Sequence, residues 1–171
     1  MRNWHETTPL LAALASPLGG ASSFGAAVRN WLIYDDLAAW QAGVLACLSD
    51  AARAAIAERG VFHIVLAGGE TPGRVYAALA RTAQDWPAWQ VWFGDERCLA
   101  AEDPGRNSRM AADRWLDAVG IPGTNIHTID AELGAVRAAE GYAERLAAVD
   151  RFDLVLLGLG EDGHTASLFP G

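Results

Sequence analysis

The chain has little cysteine, little positive charge and no long apolar run, and each shortage closes off a class of function. Cys47 and Cys98 are too few for a disulfide framework and stand at no metal-ligand spacing. The 13 basic residues face 21 acidic ones, and the formal charge of −8 argues against nucleic acid and anionic membrane surfaces as partners. An anionic substrate would need locally gathered positive charge. No apolar run approaches the length of a membrane span; the early apolar stretch over residues 10–18 is interrupted by Pro17. The opening Met1, Arg2, Asn3, Trp4, His5 and Glu6 make a poor signal-peptide head, which points to the cytoplasm. Internal repeats and low-complexity tracts are also missing. What is there is 171 residues, 51% of them hydrophobic, which suits one domain with a sizeable core.

Residues 1–24 mix Pro, Gly, Ser and Ala without periodicity. The expected organisation is an N-terminal extension over residues 1–28, partly disordered, followed by an α/β domain over residues 29–171. Trp31, Leu32, Ile33 and Tyr34 form a first strand, and Asp35 and Asp36 can cap the helix after it. Leu37, Trp40, Val44, Leu48, Ala51 and Ala55 recur at three- and four-residue steps. That spacing predicts an amphipathic helix stopped near Arg59 and Gly60, with Cys47 in it as a small core residue. Strands are expected at residues 62–66, 90–93, 126–129 and 154–157, the last buried on both faces. Helices are expected after Thr71, from Asn107 or Ser108 through Trp115 to Val119, and along Leu133, Val136, Ala139, Ala143 and Leu146. His63 and His127 lie inside strands and read as packing residues. The seven tryptophans are spread along the chain and read mainly as core. Strands alternating with helices imply a mostly parallel sheet, helices on both faces and right-handed crossovers.

Three loops then share the carboxyl edge of that sheet, where ligands bind in open α/β folds. In the first, Gly68 and Gly69 follow a strand, Thr71 is a candidate N-cap and Pro72 suits a first helical turn. Backbone N–H groups at such a helix start make an anion site; the plain alternative is an ordinary turn. The second loop carries Asp95, Glu96 and Arg97. Arg97 can clamp a phosphate, and Asp95 can bind a sugar hydroxyl or position a proton donor. Arg106 and Arg109 add positive charge nearby in sequence. In the third loop Gly158, Gly160 and Gly163 turn the chain tightly and deliver Glu161, Asp162 and His164. An imidazole there exchanges protons near neutral pH; the plain alternative is a solvated histidine. The same glycines match a dinucleotide fingerprint. Against a nucleotide-binding module, Pro170 ends any following helix within two turns, and Glu161 and Asp162 would face a pyrophosphate.

In these three blocks (Leu66 to Pro72, Trp92 to Arg97 and Gly158 to Gly171) the chain resembles the 6-phosphogluconolactonases, of the glucosamine-6-phosphate isomerase/6-phosphogluconolactonase family. The order and spacing of the blocks are similar too. The resemblance implies a Rossmann-like sheet and hydrolysis of 6-phosphoglucono-1,5-lactone to 6-phosphogluconate in the oxidative pentose phosphate pathway. The partner is a small sugar-phosphate lactone, no cofactor is required, and the oligomeric state stays open. His164 matches the family's general base, with Asp162 orienting its loop or holding the imidazole tautomer. The phosphate is expected on the N–H groups around Gly68, Gly69, Glu70 and Thr71, with Arg97 as its charged clamp. Two departures stand out. Glu70 replaces the Ser or Thr of many relatives and is expected to point away from the phosphate. Arg106 replaces the serine of a usual Ser-Asn pair, which weakens any role for position 106, while Asn107 still matches. Relatives also continue beyond the histidine block, so the carboxyl-terminal part of the sheet and site is expected to be missing. The runner-up is a glucosamine-6-phosphate deaminase or isomerase, which shares the fold and a similar Asp-Gly-His loop.

Overall fold

A computed structural model describes residues 30–171 and the backbone of residues 11–14. The expected extension over residues 1–28 otherwise lies outside the described residues. Two compact units divide the chain, residues 1–47 and residues 48–171. In the first, β1 (Leu11–Leu14) pairs antiparallel with β2 (Asn30–Ile33). Asp36 then accepts a hydrogen bond from the Ala39 N–H at 2.7 Å, so the expected acidic cap forms. The helix it starts, α1 (Leu37–Arg59), runs past the unit boundary at residue 47 and ends at Gly60, whose φ of +75° suits a residue without a Cβ.

The second unit carries β3 (Phe62–Leu66), α2 (Glu70–Leu79), β4 (Trp89–Phe93), α3 (Asn107–Arg114), β5 (Ile126–His127), α4 (Ala135–Leu146) and β6 (Leu154–Val155). Its strands form a parallel sheet in the order β5-β4-β3-β6, so the expected α/β class holds. Alternation along β3 and β4 sorts the core into two layers. On one face Phe62, Ile64 and Leu66 stand in register with Trp89, Val91 and Phe93. That layer extends to a spatial cluster of Trp86, Trp89 and Trp115, with ring centroids 5.1 to 5.8 Å apart. On the other face Val65, Trp92 and Tyr142 pack with Ile129, Leu146, Val149 and Phe152. The two strand histidines do pack there: His127 stacks on Trp92 at 3.8 Å, and His63 Nδ1 accepts from Trp92 Nε1 at 3.2 Å.

A tyrosine on each face fixes a strand end. Tyr76 of α2 satisfies both the N–H and the C=O of Ala67, just past β3, at 3.0 and 2.8 Å. Tyr142 of α4 does the same for Phe93, the last residue of β4, at 2.9 and 3.1 Å. Two backbone groups that would otherwise be buried without partners are satisfied at each point. The loops that follow therefore leave from fixed positions.

Four sequence expectations change. β6 is a short edge strand, with Val155 48% and Leu157 67% exposed, rather than a strand buried on both faces; among the described residues only β3 pairs with it. Asp153 sets its register, accepting from the His63 N–H at 2.8 Å and pairing with Arg59. The helix from Asn107 breaks at Trp115, where φ −150° and ψ −59° turn the fully buried indole inward, and a 3-10 turn (Leu116–Ala118) follows. The 126–129 strand is two residues long. In α4 the buried face is Ala138 and Tyr142, whereas Leu133 and Val136 are exposed. Of the expected stripe Leu146 does pack on the core, but counting aliphatics passes over Tyr142, an aromatic with a polar tip that carries the packing.

Candidate active site

Because the strands are parallel, the loops after β3, β4 and β6 leave from one edge of the sheet. The first two touch at once: the Gly94 N–H donates to the Leu66 carbonyl at 3.0 Å. In the first loop Gly69, at φ +104°, is the N-cap of α2, and its carbonyl accepts from the Gly73 N–H at 3.1 Å. Thr71 is thus not the cap expected from sequence. The helix starts two residues sooner because Gly69 supplies a backbone turn that a threonine would resist. Gly69 has no side chain to cap the first turn, which leaves its N–H groups and the positive end of the helix dipole for an anion. The Glu70 carboxylate lies 3.3 Å from Arg74 and 3.8 Å from Arg114, so charge on α2 and α3 draws it aside.

The second loop is braced from beneath. Glu96 has a side chain only 1% exposed. It accepts from the backbone N–H groups of Arg97, Asn107 and Ser108 at 2.7 to 2.8 Å. Burial pushes its carboxyl up, but the hydrogen bonds from Ser108, Arg97 and Asn107 outweigh that and leave it below the ordinary range. The buried Arg106 stands 3.4 Å from Glu96, pairs with Glu132 at 2.8 Å and donates to the Ile129 carbonyl at 2.6 Å. Asp95 accepts from Asn107 Nδ2 at 3.2 Å and from Ser167 Oγ at 2.5 Å. Arg97 donates to the Gly105 carbonyl at 2.7 Å.

In the third loop the His164 Nδ1 and Asp162 Oδ1 are 2.5 Å apart. A carboxylate only accepts, so the Nδ1 position carries the proton and Nε2 keeps a free lone pair in the neutral ring. The hydrogen bond from His164 holds the Asp162 carboxyl below its usual range. The ring also stacks on Phe169, centroids 4.8 Å apart. It lies close over Gly160, where a Cβ would come within 2.2 Å of it. Residues after His164 form a tight turn closed between Thr165 and Leu168 rather than a helix, which removes the dinucleotide-fingerprint reading.

The structure therefore joins Asp162 to His164, and Asp95 to the histidine loop through Ser167. Gly68, Gly69, Glu70 and Thr71 form the turn and the helix start. Arg97 is engaged with its own loop. Arg106 and Arg109 do not supply the free positive charge expected of them: Arg106 is paired as above, and Arg109 is paired with Asp113 and Asp117. Sequence reasoning gave Glu96 and Ser167 no role and noted Asn107 only as a match to the family's Ser-Asn pair and a helix start. The available signal was an acidic residue a short loop ahead of a helix start. A groove runs from Gly94, Asp95 and Ser167 onto Ala138 and Tyr142 of α4. No three of His, Cys, Asp and Glu converge on a metal position among the described residues. No helix among them is long and apolar enough to cross a membrane.

A glycine-started helix, a braced Asp-Glu-Arg loop and an imidazole–carboxylate pair stand on one edge of a Rossmann-like parallel sheet, the edge at which ligands bind in open α/β folds. The family model for glucosamine-6-phosphate isomerases/6-phosphogluconolactonase matches residues 35–171, and the chain belongs to that family. It is 46% identical over 135 residues to the 6-phosphogluconolactonase of Synechocystis sp., covering 74% of this chain and 56% of that protein. The crystal structure of 6-phosphogluconolactonase from Thermotoga maritima superposes with a TM-score of 0.72 at 32% identity, covering 77% of this chain and 61% of that one. The Trypanosoma brucei 6-phosphogluconolactonase gives 0.69 at 30% identity, covering 77% of this chain and 59% of that one. The chain thus spans a little over half the length of such relatives.

Proposed function

We propose that residues 29–171 carry the chemistry of a 6-phosphogluconolactonase, opening 6-phosphoglucono-1,5-lactone to 6-phosphogluconate. The observation that carries the reading is the His164–Asp162 pair, with Nδ1 engaged, on the same sheet edge as the α2 start. The lactone phosphate lies on the N–H groups of Gly69, Glu70 and Thr71, with Arg97 turning from the Gly105 carbonyl to clamp it. Remote phosphate binding fixes the ester carbonyl for attack. His164 Nε2 takes a proton from water as the oxygen adds to the carbonyl carbon. The tetrahedral oxyanion then collapses, the ring C–O bond breaks, and the imidazolium returns its proton to the departing ring oxygen. Asp162 keeps the imidazole in the required tautomer, and Asp95 binds a sugar hydroxyl. Water is the only co-substrate, so no cofactor enters. A cytoplasmic setting fits a chain with only two cysteines, Cys47 and Cys98, too few for a disulfide framework.

The test supplies freshly generated 6-phosphogluconolactone and follows acid release against the spontaneous rate. It is run on this chain and on a chimera extended with the carboxyl-terminal part of the Synechocystis relative. Ring opening above background in the chimera is the expected result. A rate equal to background, with glucosamine 6-phosphate turned over instead, replaces the reading.

A further inference from the structure

Asn107 is a buried polar residue, 3% exposed, and its amide meets two loops at once. Its Oδ1 crowds Gly68 so closely that a Cβ there would come within 2.1 Å of it. Its Nδ2 donates to the Asp95 carbonyl at 3.0 Å and to Asp95 Oδ1 at 3.2 Å. The other Asp95 oxygen accepts from Ser167 Oγ at 2.5 Å. One amide and one carboxylate therefore connect the loops after β3, β4 and β6. We propose that Asn107 is a positioning residue that couples the turn at Gly68 to Asp95 and, through Asp95, to the loop that carries His164. What is positioned rests on the lactonase reading; the contacts do not.

The residue type follows from the geometry. An amide presents a donor to Asp95 and a carbonyl oxygen to Gly68. A carboxylate of the same shape would set like charge against Asp95 at about 3 Å. Asn107 is itself held in place, because Glu96 accepts from its N–H at 2.7 Å and from that of Ser108 at 2.8 Å. Gly68 is required for the same reason: a methyl at that position and the Asn107 amide compete for one space.

The experiment is performed on the 171-residue chain with ¹⁵N-resolved NMR and inorganic phosphate as probe. In Asn107→Asp, the α3 amide signals should persist while those of Gly68, Gly69 and Ser167 shift together. Phosphate affinity read at the Gly69 and Thr71 amides should weaken about tenfold. Independently, Gly68→Ala should destabilise the wild-type background more than the Asn107→Ala background, because truncation frees the space the methyl needs. Unmoved Gly68 and Ser167 signals in a folded Asn107→Asp protein overturn the coupling, as does an equal cost of Gly68→Ala in both backgrounds. If the wild-type loop binds no phosphate, the anion site of the proposed function fails, while the shifts and the double-mutant comparison still decide the role of Asn107.

Discussion

The corner around Gly68 and Asn107 and the loop that carries His164 are held in opposite ways. At the corner the Asn107 residue and the Glu96 side chain are buried and their polar groups are matched: Glu96 answers three N–H groups, and Asn107 answers Asp95. The histidine loop lies at the surface, with Asp162 58% and Phe169 68% exposed. It is held by the Asp162 pair, the Phe169 stack and the Ser167 hydrogen bond. In the proposed reaction the anion-binding turn leaves from the corner with matched polar groups, whereas the group proposed to move the proton sits where local opening costs little. Substitutions in the corner should therefore register as lost stability or affinity, and those in the loop as lost turnover.

The sharpest test of that contrast is His164→Asn in the extended chimera. Loss of a general base should lower turnover about 10²–10⁴-fold. Melting temperature and 6-phosphogluconate affinity should hold; an enzyme with near-native turnover would take the histidine out of the mechanism. Next in size is Arg97→Ala. Removing a charge-assisted contact should weaken product affinity by about 1.5–3 kcal/mol, seen by calorimetry, with a smaller change in turnover. Equal loss in both would place Arg97 at the reacting centre.

Glu96→Gln should lower stability by about 1–3 kcal/mol in denaturant unfolding, since one of two capping oxygens becomes a donor facing N–H groups. Its pH dependence has a definite sign. The folded carboxyl lies below its unfolded value, so the unfolded chain binds more protons in that window. The contribution is complete above the unfolded value near 4.5 and is lost as pH falls through the lower folded value. The wild type should therefore lose stability across that acid window more steeply than Glu96→Gln, and parallel curves would contradict the bracing role. The smallest effect belongs to Phe169→Ala. It should change stability by no more than about 0.5 kcal/mol yet shift the His164 ring protons, which would lose the stacked face.

Much of this frame was legible in the residues. The 3.6-residue spacing and Gly60 place α1, and the apolar runs give β3 and β4 because both are covered on both faces. The three edge loops were legible through glycine and charge. What escaped reading lies in contacts between segments distant in sequence. Glu96 looks like one charge in an exposed Asp-Glu-Arg run until α3 brings two N–H groups onto it. Arg106 and Arg109 look like free positive charge until Glu132, Asp113 and Asp117 are placed against them. Tyr142 was passed over because its value lies in one hydroxyl that satisfies Phe93. β6 read as a strand buried on both faces because four apolar residues in a row do not say what covers each face.

The side of β6 that no strand covers among the described residues has a consequence for handling this 171-residue chain at high concentration. Val155, Leu157 and Leu159 are 48, 67 and 82% exposed, and no charged residue lies between Asp153 and Glu161 to deter another strand. Such an edge is a template for strand-to-strand self-association, the first step toward fibrous aggregates. Light scattering should grow steeply with protein concentration. Leu157→Lys, which places a charge where many natural sheet edges carry one, should keep the solution clear.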